Sequence, residues 1–391
     1  MKEGWTYKKL GEVCDIYNGN SINADYKKKH FYGAEGGLPF IATKDVSTIG
    51  TIDYNNGVRI PNYEEYKIAP ANSVFICAEG GSAGKKFAYV ERDVCFGNKL
   101  FCLNPKTDLL FGKYVYYYIQ SDYFRIQFYS LLTGLIGGVS AKKFQTIEIP
   151  VPFLSEQRSI VSRLDSAFAH MDALKANAEK QLAEARQLFQ AELAECMRSK
   201  EGWEEKPLKE ISKYSIGLTY KPSDVNDNGT IVLRSSNIQN DKINLSDIVR
   251  VSCPIKEALY VQEGDILMCS RNGSAKLVGK VAIIPEATER MSYGTFMMII
   301  RSDYNPYLFY FFKSNNFRKQ IKHGEANMIN QITRYMLDDV VVNVPPKSKV
   351  KQIVTHLDSL STNIKMLEEM QRKTLAECDA LKQAMLREVF E

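Results

Sequence analysis

The residues that punctuate metal and redox sites are sparse here and badly spaced for either. Of eight cysteines (Cys14, Cys77, Cys95, Cys102, Cys196, Cys253, Cys269 and Cys378), no two stand as Cys-x-x-Cys, and the four histidines lie far from one another. This spacing excludes a structural zinc motif and a disulfide framework, and implies reduced thiols. Long apolar runs are missing as well, since no window approaches the roughly eighteen uninterrupted apolar residues of a membrane helix. The opening MKEGWTYKKLGEV lacks a signal peptide's apolar core. A soluble, cytoplasmic protein without a membrane partner is expected. Charge of one sign is scarce too: 51 Lys and Arg against 46 Asp and Glu leave +5 at pH 7, which permits an anionic partner without requiring one.

Catalytic motifs are equally thin. GGSAGKK (Gly80 to Lys86) invites comparison with a phosphate loop, but Glu79 stands where the first glycine is needed and Lys86 where a Ser or Thr should follow the lysine. NVPP (Asn343 to Pro346) departs from the Asn-Pro-Pro-aromatic motif of adenine methyltransferases by Val344 and by the missing aromatic. Adjacent carboxylates such as Glu64-Glu65 and Asp338-Asp339 fit a solvated surface. No catalytic residue and no metal ligand is expected, and no cofactor for this chain.

What the sequence does contain is a duplication. PFLSEQRSIVSRLD, beginning at Pro152, returns as PPKSKVKQIVTHLD, beginning at Pro345, with Leu164-Asp165-Ser166 falling on Leu357-Asp358-Ser359. The regions before the two copies repeat as well. Trp203 answers Trp5, LRSSNI (Leu233 to Ile238) lies over IATKDV (Ile41 to Val46), and ILMCSRNGSA (Ile266 to Ala275) over VFICAEGGSA (Val74 to Ala83). The aromatic segment KYVYYYIQSDYFRIQF (Lys113 to Phe128) returns as PYLFYFFKSNNFRKQI (Pro306 to Ile321). Composition of 45% hydrophobic and 25% charged residues over 391 positions supplies two globular cores.

Short β-rich runs bounded by Asn, Gly and Pro (Leu38 to Thr43, Asn72 to Ala78, Lys85 to Val90, Leu100 to Pro105) predict a small mixed sheet, and the aromatic segment a pair of buried helices. Ser140 caps a short turn before the strand Ile147 to Pro152. The repeated segments read as long helices starting after a proline, with Ser155 and Ser348 as caps. Their apolar residues step by fours and threes, which is coiled-coil rhythm. The expected seam is Ile160, Leu164, Ala167, Met171, Leu174, Ala178 and Leu182 in the first helix, and Ile353, Leu357, Leu360, Ile364, Leu367, Gln371 and Leu375 in the second. The step of four that closes each list is a shared stutter, which implies that the two seams pack together. A helical hairpin packed as ordinary core is the alternative. The expected fold class is α+β: two similar mixed α/β domains joined by two long antiparallel coiled-coil helices in a pseudo-twofold repeat.

Polar and basic residues gather on the predicted loops. In the first half they include Thr43, Lys44, Ser82, Lys85, Lys86, Asn98 and Lys99; in the second Arg234, Ser235, Asn237, Arg271, Asn272, Ser274, Lys276, Lys280, Asn330 and Gln331. Such side chains neutralise phosphate or bond to base edges, so two loop sets on two similar domains suit two DNA half-sites.

The whole arrangement, with PVPFLSEQRSIVSRLD and VPPKSKVKQIVTHLD at the helix starts and GDILMCSRNGSAKLVGKVAII at Gly264 to Ile284, resembles the specificity subunit of type I restriction-modification enzymes. The resemblance covers the full chain. One departure is clear: SEQ at Ser155 to Gln157 follows the family's helix start, whereas the second copy has Lys349 and Lys351. The resemblance implies target recognition domains at 1–150 and 201–343, a central spacer helix at 151–200 and a C-terminal spacer helix at 344–391. It implies a non-catalytic subunit reading a bipartite site in double-stranded DNA, with two modification subunits as partners. Those partners would bring S-adenosylmethionine, and restriction subunits, whose presence the sequence leaves open, would bring ATP and Mg. A coiled-coil adaptor whose duplicated domains bind proteins is the competing reading.

Overall fold

The computed structural model describes residues 4–133, 137–321 and 331–391. The chain divides into two compact units: Met1–Ala178 with Arg372–Glu391, and Glu179–Gln371. Each unit therefore owns a globular domain together with part of both long helices.

In the first unit a four-stranded antiparallel sheet runs in the order Cys14–Asn18, Leu100–Pro105, Val74–Cys77, Phe87–Tyr89. A second sheet orders Arg59–Ile60, Leu38–Ile41, Val94–Phe96 and Ile68–Ala69, and pairs Leu38–Ile41 in parallel with Val94–Phe96. Val74–Cys77 is buried along its whole length, as its unalternating apolar sequence requires. Thr6–Lys9 pairs with Glu148–Val151, so the chain closes its domain just before the central helix.

The second unit repeats this plan. Its main sheet orders Lys213–Ile216, Met297–Arg301, Ile266–Cys269, Val281–Ile283, and Glu204–Pro207 pairs with Val341–Val344. It adds a small hairpin, Ile238–Gln239 against Lys242–Ile243. The hairpin's central residues Asn240 and Asp241 both have positive φ, as a two-residue type I′ turn demands. Among the described residues, the first unit carries instead a basic helix, Ala24–His30, capped by the Asn23 side chain.

The aromatic segments form the expected helix pairs, Gly112–Tyr118 with Asp122–Ser130 and Asn305–Lys313 with Asn315–Gln320. Ser121 and Ser314 cap the second helix of each pair. The aromatic helices pack onto the long helices. Tyr117 meets Phe168 edge to face at 5.3 Å and gives its hydroxyl to Asp165, while Tyr310 gives its hydroxyl to Asp358.

The long helices are Leu154–Cys196 and Lys347–Phe390. Ser155 and Ser348 lie inside the first turn rather than at the cap. The Phe153 carbonyl accepts from Glu156 and Gln157, and the Pro346 carbonyl accepts from Lys349. Proline and a bulky aromatic, neither offering a capping oxygen, thus start the helices through the backbone alone.

Within each unit the helices run antiparallel. In the first, Arg163 faces Glu388 at 3.4 Å, Phe168 lies under Lys382, and Lys175 pairs with Asp379. In the second, Arg186 bonds Glu368 at 2.7 Å and Glu192 bonds His356 at 2.9 Å. Ile160, Leu164, Met171, Leu182 and Leu357 are buried, and Ile353, Leu360, Ile364, Leu367 and Leu375 are half-buried. Leu174 departs from the expected seam, being 55% exposed. Phe168 is buried beside the half-buried Ala167, and from there on the buried stripe runs one residue later than expected. Lys175 then takes the next inward position, laying its stem along the seam while its ammonium reaches Asp379. In this register Leu164, Phe168, Met171, Lys175, Ala178 and Leu182 alternate fours and threes, so the two consecutive fours do not fall at Leu174 to Leu182 as expected; counted from the buried Ile160 they fall at Ile160, Leu164 and Phe168.

Leu164→Ala is expected to cost about 2–5 kcal/mol, and Leu174→Ala less than about 0.5 kcal/mol. Chemical unfolding followed in the first unit checks this, and equal losses would overturn the register.

Candidate nucleic-acid interface

The expected loop residues divide into a braced set and a displayed set. Asn237 is completely buried. Its side-chain oxygen accepts from the Arg234 amide at 2.8 Å, and its amide donates to the Asn244 and Asp247 carbonyls at 2.9 and 2.8 Å. All of its polar capacity is spent on the chain itself, so it reads nothing. The first unit uses Asp45 in the same way, accepting from the Ala42 amide at 2.8 Å.

Two lysines brace the same turns. Lys86 donates to the Thr43 carbonyl at 2.9 Å, and Lys280 to the Ile238 carbonyl at 2.5 Å. Both are half-buried, as is Thr43. Arg234 is half-buried and paired with Asp247 at 2.9 Å. Asn272 donates to Ser235 at 3.2 Å and accepts from the Ser274 amide at 2.9 Å, which shapes the loop from within. Ser82, half-buried, accepts through its carbonyl from the Lys85 and Lys86 amides.

The displayed residues are Lys44, Lys85, Asn98 and Lys99 in the first unit, and Arg271, Ser274, Lys276 and Gln331 in the second. Lys85 folds back to the Gly81 carbonyl at 3.1 Å, and Lys99 faces Glu79 at 3.7 Å. Arg271 and Gln331 are bridge partners at adjoining backbone positions. Asn330 lies outside the described residues.

Backbone geometry aligns the two displays residue by residue. The Cys77 thiol donates to the Glu79 carbonyl and the Cys269 thiol to that of Arg271. The Ala78 amide donates to the Lys99 carbonyl and that of Ser270 to Phe296. Glu79 bridges Gly138 as Arg271 bridges Gln331. Glu79 and Lys99 therefore occupy the sites of Arg271 and Phe296. An ion pair in one unit is replaced in the other by a guanidinium 5.5 Å from an aromatic ring.

Sequence reasoning passed over Glu79, Phe296 and Tyr335. Phe296 sits in the apolar run SYGTFMMII and reads as strand, yet it is 54% exposed, and Tyr335 is 82% exposed. The available signal was the duplication itself, which sets Phe296 opposite the lysine at 99.

A cleft of about 510 Å³ in the second unit is lined by Arg271, Phe296, Gln331, Arg334, Tyr335 and Asp338, among others. Asp338 is engaged by the Tyr214 hydroxyl, whose pKa is held above the ordinary range by burial and by that carboxylate. A neighbouring cleft of about 720 Å³, more apolar, shares Thr295 and Phe296 as its wall and includes Leu218, Tyr220 and Arg234.

Among the described residues, Glu192, Cys196 and His356 approach closely enough to share an ion. The histidine and glutamate already bond each other at 2.9 Å, and burial raises the Cys196 pKa, so the trio is satisfied as a contact between helices. All eight cysteines are free thiols. No helix among the described residues is long and apolar enough to cross a membrane.

The geometry agrees with what sequence comparison finds. The model of the type I restriction modification DNA specificity domain matches residues 2–184 and again 200–377. The specificity subunit of the type I restriction enzyme EcoKI from Escherichia coli K12 is 26% identical, over all of this chain and 89% of its own length. A chain from a structure concerned with complex assembly and conformational transition of the type I R-M system superposes with a TM-score of 0.79 at 18% identity, covering 100% of this chain and 98% of that one. The HsdS subunit from Thermoanaerobacter tengcongensis gives 0.60 at 20% identity, covering 100% and 97%.

Asn237→Ala strips three buried hydrogen-bonding groups of their partner and is expected to cost about 1–3 kcal/mol. Lys276→Ala, at an exposed position, is expected to leave stability within about 0.5 kcal/mol. Thermal unfolding of the two variants separates the brace from the display.

Proposed function

The chain belongs to the family of type I restriction-modification DNA specificity proteins, and from that premise we infer that it reads a bipartite site in double-stranded DNA, one half-site per globular domain. It is the recognition subunit of a multisubunit methyltransferase or endonuclease and supplies no catalytic residue of its own. The observation that carries this reading is the double match, one specificity domain on each half of the chain, together with the two equivalent loop displays bearing different side chains.

Two modification subunits dock on this chain and methylate adenine with S-adenosylmethionine. Restriction subunits, using ATP and Mg, join the same assembly, which works in the cytoplasm. The long helices set the spacing between the half-sites, as their unbroken runs of 43 and 44 residues allow. Phosphate contacts from the displayed lysines supply much of the affinity, which therefore falls steeply with salt. The adaptor reading, in which the duplicated domains bind proteins, predicts no such salt dependence.

Coexpression with a type I modification subunit is expected to produce adenine methylation at a two-part sequence with an unspecified gap. Genome-wide mapping of methylated adenines reads this out, and a methylating complex without a bipartite motif would reject the proposal. Removing one heptad from each long helix is expected to change the gap and leave both half-sites intact. An unchanged gap in the same methylation map would refute the spacing role.

A further inference from the structure

Nine arginines belong to the second unit, and seven are committed within it, held by carboxylates as Arg234 is by Asp247 and Arg301 by Asp265, or by a carbonyl as Arg318 is by that of Val278. Arg271 and Arg334 have no hydrogen-bond or ion-pair partner of this kind among the described residues, and both line the cleft of about 510 Å³. Among the described residues one carboxylate, Asp338, lines that cleft, and it accepts from the Tyr214 hydroxyl. Its wall carries the exposed rings of Phe296 and Tyr335, apolar surface that the fold leaves in water.

Unpaired guanidinium groups beside exposed rings form an arrangement suited to an edge rich in acceptors. The guanine edge in the major groove presents two acceptors, O6 and N7, spaced for one guanidinium fork. An arginine already lying near an aromatic face loses less freedom when it engages such an edge. The backbone on which Arg271 stands is fixed, because its amide donates to the Phe296 carbonyl at 3.1 Å and its position bridges Gln331.

We propose that this cleft is the base-reading site of the second domain, with Arg271 taking the O6 and N7 atoms of one guanine and Phe296 steadying the guanidinium, while Arg334 neutralises a flanking phosphate. The proposal rests on the DNA-recognition reading above and deepens it. The first domain cannot repeat this contact, because Glu79 stands at the equivalent position and a carboxylate repels both guanine acceptors. Guanine recognition of this kind is confined to one half-site.

The test uses the complex with its modification subunit and maps methylated adenines for the parent, Arg271→Ala, Arg271→Lys and Arg334→Ala. Arg271→Ala is expected to make one guanine of one half-site degenerate and to lower discrimination at that base roughly ten- to a hundredfold. Arg271→Lys, which keeps the charge and loses the fork, fails to restore it. Arg334→Ala weakens binding about equally on all sequences and reduces the slope of log affinity against log salt by about one. Site DNA carrying 7-deazaguanine at the affected position lowers parent affinity and leaves Arg271→Ala unchanged. A methylating Arg271→Ala complex with the parental motif, or a half-site without guanine, overturns the assignment and leaves the bipartite reading standing. Absence of any bipartite motif in the parent rejects the underlying reading instead.

Discussion

Each globular domain is tied to a long helix by a hydrogen bond made twice in the molecule, from the buried Tyr117 to the half-buried Asp165 and from the buried Tyr310 to the exposed Asp358. Burial pushes both phenol pKa values above the ordinary range, and accepting carboxylates push them further. The hydroxyls therefore stay protonated and keep donating throughout the physiological range. Around each bond the aromatic helix is packed on nearly every side, so the helix, the sheet above it and the long helix below act as one body.

This anchoring frees the loops at the sheet ends to vary. Their backbones are held by matched groups in the two units: Asp45 and Asn237 cap the same turn, and Lys86 and Lys280 brace it at different carbonyls. Among the described loop residues, the displayed positions show the clearest contrast. Glu79 with Lys99 forms an ion pair where Arg271 lies beside Phe296. Two loop displays of different chemistry thus stand on one repeated scaffold.

The departure at the second helix start has a structural counterpart. Glu156 accepts the Trp5 indole N–H at 2.9 Å, and the buried Gln157 ties the helix to the Leu109 and Pro152 carbonyls. In the second copy Lys349 and Val350 occupy these positions and cannot make those bonds. Trp203 packs edge to face on Tyr307 at 6.2 Å. Lys347, one turn back, reaches Asp303 at 2.9 Å, an exposed pair that contributes little.

The sequence by itself determined the duplication, several of the strands, the aromatic helix pairs and the long helices, because each is written in local periodicity or in residues repeated about 193 positions apart, as Pro345 is from Pro152. It also marked the loops that carry the polar display. Tertiary structure decided which of those polar residues are spent and which are offered. Asn237 looks like a reader in the sequence and serves as a brace, because it is fully buried and nearby backbone groups claim its amide, while Lys86 and Lys280 each commit one of three donors to a nearby carbonyl. It likewise turned the seam from Leu174 to Lys175, the buried stripe running one residue later than expected from Phe168 onward. Phe296, written inside an apolar run, ends exposed beside Arg271 because the strand begins one residue later, at Met297. Exposure and partnership depend on residues distant in the chain, and no local pattern encodes them.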